Sequence, residues 1–370
     1  MKFIHLSDLH LGRRVCGFSL IEDQKYILDR ITEIIAEENP DFVIIAGDVY
    51  DKLSPPVEAV TLLDEFLTEL SRREIETFII AGNHDSPERI AFGAGLMNKS
   101  GIHFSPIYNG RAERFTVGDE YGEADIYLLP YLRAAEARRF FPETEIPDTA
   151  AAVRTAINAM NIDESRRNII ISHQFVDGGE KSDSERGAVG GTDGVPAEVY
   201  KDFDYAALGH LHKPQGMTSD RIRYGGTPLK YSISEAEQKK CLTVCEMEEK
   251  GSSVKVTLRE LSPVRDMRVI EGSFDEIMSG SSDDLVEVHL TDAERVPDAQ
   301  KRLRAQYPFI MSVKYVSEQE RAPIEINEES AVRSVSPFEL FEGFFSEANG
   351  KDMSAEQRDY MRGMIDRIWG

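Results

Sequence analysis

Five segments of this chain share one design: a run of apolar residues, one or two small ones, then a side chain able to bind metal. They are Ile4-His5-Leu6-Ser7-Asp8-Leu9-His10, Val43-Ile44-Ile45-Ala46-Gly47-Asp48, Phe78-Ile79-Ile80-Ala81-Gly82-Asn83-His84-Asp85, Ile169-Ile170-Ile171-Ser172-His173 and Ala206-Ala207-Leu208-Gly209-His210-Leu211-His212. The apolar runs are short and mostly β-branched, so they read as strands buried on both faces. Helical periodicity at residues 21–36 and 57–73 separates the first three, which is the alternation of an α/β fold. Residues just past strand C-termini in such a sheet converge on one edge. Asp8, His10, Asp48, Asn83, His173, His210 and His212 are therefore expected to meet, although they span two hundred residues. Any one fragment is weak, since Gly-Asp after a strand is often only a turn. Together they are not: five of the eight histidines fall in these places. His5, His103 and His289 lack the context and read as structural.

The ligand types narrow the chemistry. Seven nitrogen and oxygen donors exceed one tetrahedral site and include no thiolate, which excludes a structural zinc knot. A mixed carboxylate, imidazole and amide set suits manganese, iron or zinc in a pair. Two such ions activate a water and clamp phosphoryl oxygens, so the implied reaction is metal-assisted phosphoester hydrolysis. Cys16, Cys241 and Cys245 are too few and too scattered for a disulfide framework. Met1 runs directly into a strand and no apolar run is long enough to cross a bilayer, so a cytoplasmic protein without membrane association is expected.

Beyond residue 262 the pattern changes. From about Met267 a strand–helix–strand–helix–strand unit follows, then a stretch poor in apolar residues, then two helical patterns. Ser336-Pro337-Phe338-Glu339 carries an N-cap serine, a proline at the first helical position and a glutamate three residues on. Phe338, Leu340, Phe341, Phe344 and Phe345 load one side of that helix, and Met361, Met364, Ile365 and Ile368 the next. That face either packs on its own domain or docks another protein.

The segments DLHLG, GDVYD, GNHDS, SHQ and GHLHKPQ resemble the signature of the calcineurin-like metallophosphoesterases. Ser184-Glu185-Arg186 with Val189-Gly190-Gly191, and Thr227-Pro228-Leu229-Lys230-Tyr231-Ser232 with Ser234-Glu235, narrow the likeness to DNA-repair nucleases that work with a coiled-coil ATPase. The resemblance implies a two-sheet α/β sandwich core over 1–264, a small α/β capping, DNA-recognition domain over 265–318, a linker over 319–335 and a helical hairpin over 336–370 that binds the ATPase. It implies two divalent ions, Mn2+ before Mg2+, Fe2+ or Zn2+. Asp8, His10 and His212 would hold one and Asn83, His173 and His210 the other, with Asp48 between them. His84 would be the acid at the leaving sugar oxygen, with Asp85 or Asp51 orienting its ring. Double- and single-stranded DNA, at ends and hairpins, would be the substrate, and a homodimer the working form.

Charge opposes that substrate. The net formal charge is −23, the wrong sign for holding nucleic acid by bulk electrostatics. Phosphate contact must be local, and Arg89, Lys52 and Arg13 beside the motif loops are the candidates for it. The competing reading keeps the ions and changes the substrate, to a phosphomonoester or a cyclic nucleotide. A non-enzymatic scaffold is the third.

Overall fold

The computed structural model describes residues 1–105, 107–185, 194–316, 337–349 and 352–369. The expected linker 319–335, Ser336, Arg186 and Val189-Gly190-Gly191 lie outside them. The chain divides into two compact units, Met1–Val316 and Ser317–Gly370.

Two six-stranded sheets build the first unit. One runs Lys255–Glu260, Cys241–Glu246, Lys2–Leu6, Phe42–Ala46, Glu76–Ile80, Ile102–Phe104, and the other Gln215–Gly216, Ile222–Tyr224, Tyr205–Gly209, Arg167–His173, Gly122–Leu129, Glu113–Asp119. Strict alternation along fully buried strands explains why they are apolar throughout. In Phe42–Ala46, Phe42, Ile44 and Ala46 face the layer between the sheets, where Ile126, Leu128, Ile169, Ile171 and Tyr205 meet them. Val43 and Ile45 face outward into a second cluster with Ile27, Ile31, Leu63 and Phe66. Those last four come from the helices Ile21–Glu38 and Val57–Arg72. On the far side Ile170, Ala206 and Leu208 pack with Ala152, Val153 and Ala156 of the helix Thr149–Asn158. The result is the helix–sheet–sheet–helix layering expected of a two-sheet sandwich.

Lys2–Leu6, Phe42–Ala46 and Glu76–Ile80 are mutually parallel, as are Arg167–His173 and Tyr205–Gly209. Their C-terminal ends carry the five motif segments. Within the same unit, Met267–Gly272, Leu285–Leu290 and Ile310–Tyr315 form a parallel three-stranded sheet. Phe274, Ile277, Val288 and Leu303 give it a core of its own. Arg265 Nε meets Asp23 Oδ1 at 2.8 Å, and its guanidinium lies over the Phe309 ring at 4.2 Å.

The second unit holds the helices Pro337–Asn349 and Ala355–Trp369. Arg358 Nε reaches Glu342 Oε1 at 2.7 Å, and the Arg362 guanidinium stands over Phe338 at 4.5 Å.

Candidate metal centre

Each motif segment turns sharply as its strand ends, and the turns interlock. The N–H groups of Asp8, His10 and Leu11 donate to the carbonyls of Gly47, Asp48 and Val49 at 3.0, 2.9 and 2.9 Å. Asp85 anchors the next turn: its carboxylate accepts from the N–H of Val49 at 3.1 Å, Tyr50 at 2.9 Å and Gly82 at 2.9 Å. Asp8, His10, Asp48 and His210 all have positive φ, at 53°, 45°, 49° and 104°. Side chains rarely accept that backbone, and such strain gathers at functional sites. Close approach explains the small residues ahead of the ligands. A Cβ at Gly82 would overlap Asp48 Oδ1 and its backbone nitrogen, and one at Gly209 would overlap the carbonyl of Ala46.

All seven residues predicted as ligands come together. Asp8, His10 and His212 present one ligand atom each within 4.8 Å of one another, as do Asp8, Asp48 and His173. Asn83 Oδ1 lies 3.0 Å from His173 Nε2 and 2.9 Å from His210 Nδ1. The two groups share Asp48, whose Oδ2 stands 3.7 Å from His10 Nε2 and 3.4 Å from His173 Nε2. Its other oxygen accepts the N–H of His84 at 2.8 Å. Both oxygens of Asp8 accept the N–H of His210, at 3.0 and 3.1 Å.

The rings are held so that lone pairs face inward. His173 Nδ1 donates to the carbonyl of Ala46 at 2.8 Å, leaving Nε2 toward Asp48 and Asn83. His212 Nδ1 lies 3.1 Å from Glu235 Oε1 and 2.6 Å from Ser184 Oγ. Its Nε2 therefore points inward, where it faces His10 Nε2 at 3.2 Å. Two ring nitrogens aimed at each other satisfy neither ring; a cation between their lone pairs satisfies both. His10 Nδ1 is buried without a hydrogen-bond partner among the described residues.

Electrostatics points the same way. Burial, joined by the charge of Asp48 and opposed by His173, pushes Asp8 up to about 6. Burial also works against ionising Asp48, but His173 and His10 outweigh it and hold that carboxyl well below its usual range. His173 is driven down by burial and up by Asp48, and ends at about 9. Burial takes His10 far below neutrality and His210 to about 3. Neutral imidazoles crowded around two buried carboxylates are a donor set for divalent cations.

The residues expected around His84 divide differently. The His84 ring takes the main-chain carbonyl of Asp51, with Nδ1 at 2.9 Å. Neither predicted carboxylate orients it. Asp85 is committed to three backbone N–H groups, and Asp51 Oδ1 accepts from Arg13 Nη1 at 2.6 Å. That pairing also places Arg13 in the wall of the site, under Tyr231 with its guanidinium 5.7 Å from the ring centroid. Arg89 and Lys52 are exposed, and Arg89 Nη1 reaches Ser54 Oγ at 3.2 Å. His5, read as structural, is buried between the Tyr205 hydroxyl at 3.0 Å and the Leu208 carbonyl at 3.1 Å. Sequence reasoning missed the roles of Tyr231, whose hydroxyl donates to the carbonyl of Leu9, and Lys240, whose Nζ donates to the carbonyl of His212. Both lie in runs with no ligand pattern to mark them.

Known proteins agree with this geometry. Residues 1–214 match the calcineurin-like phosphoesterase family, and residues 248–349 the type 5 capsule protein repressor C-terminal domain. The D subunit of the SbcCD nuclease of Staphylococcus epidermidis is 29% identical over 382 aligned residues, covering 100% of this chain and 99% of its own. That of Staphylococcus saprophyticus is 31% identical over 366, covering 96% of each. A crystal structure of TT1561 from Thermus thermophilus superposes with a TM-score of 0.41 at 12% identity, over 70% of this chain and 98% of that one. With a family match over more than half its length and full-length relatives at this identity, the chain belongs to the calcineurin-like phosphoesterases and, among them, to the group of the SbcCD nuclease D subunits.

Proposed function

We propose that this chain is the nuclease subunit of a DNA-processing complex, cutting phosphodiester bonds at ends, hairpins and single strands with two divalent ions, Mn2+ first among them. The observation that carries the reading is Asp48: one carboxylate oxygen faces His10 on one side and His173 on the other. Asp8, His10 and His212 would hold one ion, Asn83, His173 and His210 the second, with Asp48 common to both. When bound, such a pair activates water and draws charge from phosphoryl oxygens. The chain's own part is orientation and proton transfer. The Asp51 carbonyl fixes His84 through Nδ1, so the proton for the departing sugar oxygen is carried on Nε2.

Residues 1–264 would form the catalytic core, 265–318 a cap over DNA, and 319–335 a tether to the helices of 336–370, which would bind an SbcC-type coiled-coil ATPase. The naming of the relatives as subunits of a two-part nuclease supports that division. With a net charge of −23, the ATPase would supply much of the phosphate contact, leaving Arg89 and Lys52 as local contacts. Exposed Val57, Val60, Phe92 and Leu96 support a homodimer through the helix Val57–Arg72 and the segment after Pro87. No helix among the described residues is long and apolar enough to cross a membrane; a cytoplasmic, nucleoid-associated role in DNA repair goes with the proposed substrate.

The test compares a labelled DNA hairpin with p-nitrophenyl phosphate, using chelated and Mn2+-reloaded protein, alone and with its ATPase. Mn2+-dependent hairpin opening with little monoester turnover is expected. Rapid monoester turnover with intact DNA would replace the nuclease by a small-molecule phosphatase.

A further inference from the structure

The buried carboxylate of Glu235 has no place in the mechanism above, yet it is among the most heavily partnered acids described. It ends the short helical turn Ile233–Glu235 and is fully buried. Its two oxygens divide their work. Oε2 accepts Lys240 Nζ at 2.7 Å and the Tyr231 N–H at 3.2 Å. Oε1 takes the His212 side, with Nδ1 at 3.1 Å, the Ser184 hydroxyl against it and the Ser182 hydroxyl at 3.1 Å. A buried ion pair alone is a poor source of stability, because desolvating both charges offsets most of the attraction. Glu235 and Lys240 could be replaced by apolar side chains at little cost if pairing were all they did.

The division of the oxygens shows what else the carboxylate does. His212 must keep its proton on Nδ1 for its Nε2 lone pair to face inward, and the acceptor on that side decides which nitrogen keeps it. His173 and His84 rest their Nδ1 atoms on neutral main-chain carbonyls, those of Ala46 and Asp51. His212 rests on an ionised side chain, backed by a buried lysine. A carboxylate behind an imidazole fixes the tautomer and raises the basicity of the opposite nitrogen. Ser184, 2.6 Å from the same Nδ1, passes the restraint to the loop before it rather than competing with it.

We infer that Glu235 is a positioning residue which aims and strengthens His212 as a ligand, so that the ion held with Asp8 and His10 depends on it while the ion held by Asn83, His173 and His210 does not. This rests on the two-ion reading of the centre. It makes the pair of sites unequal by construction: one has a charged support behind a ligand histidine and the other has main chain.

Mn2+ titration of the chelated chain, followed by electron paramagnetic resonance and calorimetry, separates the two ideas. The unsubstituted protein should take up two ions; uptake of fewer would defeat the two-ion reading itself, whatever Glu235 does. Glu235→Gln should bind one ion as before and the other some 10–100-fold more weakly. Its melting temperature in chelator reports any structural cost separately. Two ions bound with unchanged affinity would overturn the inference. So would an equal weakening of both that tracks a fall in the chelated melting temperature, because that is the mark of a packing role. If Glu235→Gln does not fold, Glu235→Gln with Lys240→Met removes the unpaired ammonium and is read against the same outcomes.

Discussion

Asp8→Asn should make the chelated protein more stable and the ion-loaded protein less so. Asp8 is fully buried and has φ 53°, a backbone region that Asn tolerates better than most residues. Asn keeps an oxygen for the His210 N–H, which Asp8 now accepts at 3.0 Å. What it removes is a charge that burial disfavours. A carboxyl displaced from 3.8 to about 6 costs roughly 3 kcal/mol to keep ionised at neutral pH. The folded protein therefore holds that proton more tightly than the unfolded chain. Stability is fully present below about pH 4 and falls as pH rises toward 6. Asn abolishes the decline. For a unit of the size of Met1–Val316, 3 kcal/mol corresponds to about 4–5 °C in melting temperature. In EDTA at pH 7.5 the variant should melt higher by up to that amount, and the curves should converge by pH 4. In Mn2+ at a hundredfold over its dissociation constant, the unsubstituted protein should gain about 3 kcal/mol per site, and the variant should lose that gain at the site Asp8 serves. Calorimetry in chelator and in Mn2+ across pH 4 to 7.5 measures both. An Asp8→Asn protein that melts lower than the original in EDTA, yet gains as much from Mn2+, would refute the reasoning at both ends.

His84→Gln keeps size and polarity but not the transferable proton, and should cut DNA cleavage by about a hundredfold or more while Mn2+ titration still finds two ions; cleavage within tenfold of normal would remove the acid role. Gly82→Ala drives a Cβ into Asp48, so calorimetry should show both Mn2+ sites lost and a melting temperature lowered even in chelator. Asp119→Ala should cost about 3–5 kcal/mol in denaturant titration, since it strands the buried Arg167 guanidinium, whose Nη1 now lies 3.1 Å from Asp119 Oδ2. That guanidinium holds the Asp119 carboxyl well below its usual range, so the contribution is present above about pH 4 and lost as pH falls further; the variant's acid unfolding should be the shallower.

The strands that carry ligands were legible because burial on both faces forces an unbroken apolar run, as in Phe42–Ala46 or the Ile169-Ile170-Ile171 core of Arg167–His173. Edge strands carry no such mark. Glu113–Asp119 alternates between half-buried and exposed residues, and its sequence Glu-Arg-Phe-Thr-Val-Gly-Asp reads as a polar loop until Gly122–Leu129 is set beside it. Ile102–Phe104 and Ile222–Tyr224 are three residues each, too short for any period to declare itself. The ligands were legible for a related reason, because a sheet edge gathers the residues that come directly after its strands. Their supports were not. Asp85 was visible as an acid next to His84, but nothing in sequence said that its partners would be the N–H groups of Val49, Tyr50 and Gly82. Local proximity suggested the imidazole, whereas the need to satisfy turn amides with a buried carboxylate prevailed.

That same need resolves the conflict between an acidic chain and a polyanionic substrate. The acids at the centre are not surface charge facing DNA. Asp8, Asp48, Asp85 and Glu235 are all buried and bound to backbone N–H groups, imidazoles or Lys240. Each is spent on holding a turn or a ring, and the two that face one another in the pocket are the two that a divalent cation would neutralise. Before ion binding the rim would repel a phosphate; after it, the local sign reverses while the net charge of the chain hardly changes. Substrate affinity should therefore respond to divalent ions far more steeply than a surface-charge mechanism allows. Mn2+ and Ca2+ matched for ionic strength should differ in DNA retention by the chain as strongly as they differ in occupancy of this centre. Equal retention with both, at unequal occupancy, would move the phosphate contact to the surface lysines and arginines instead.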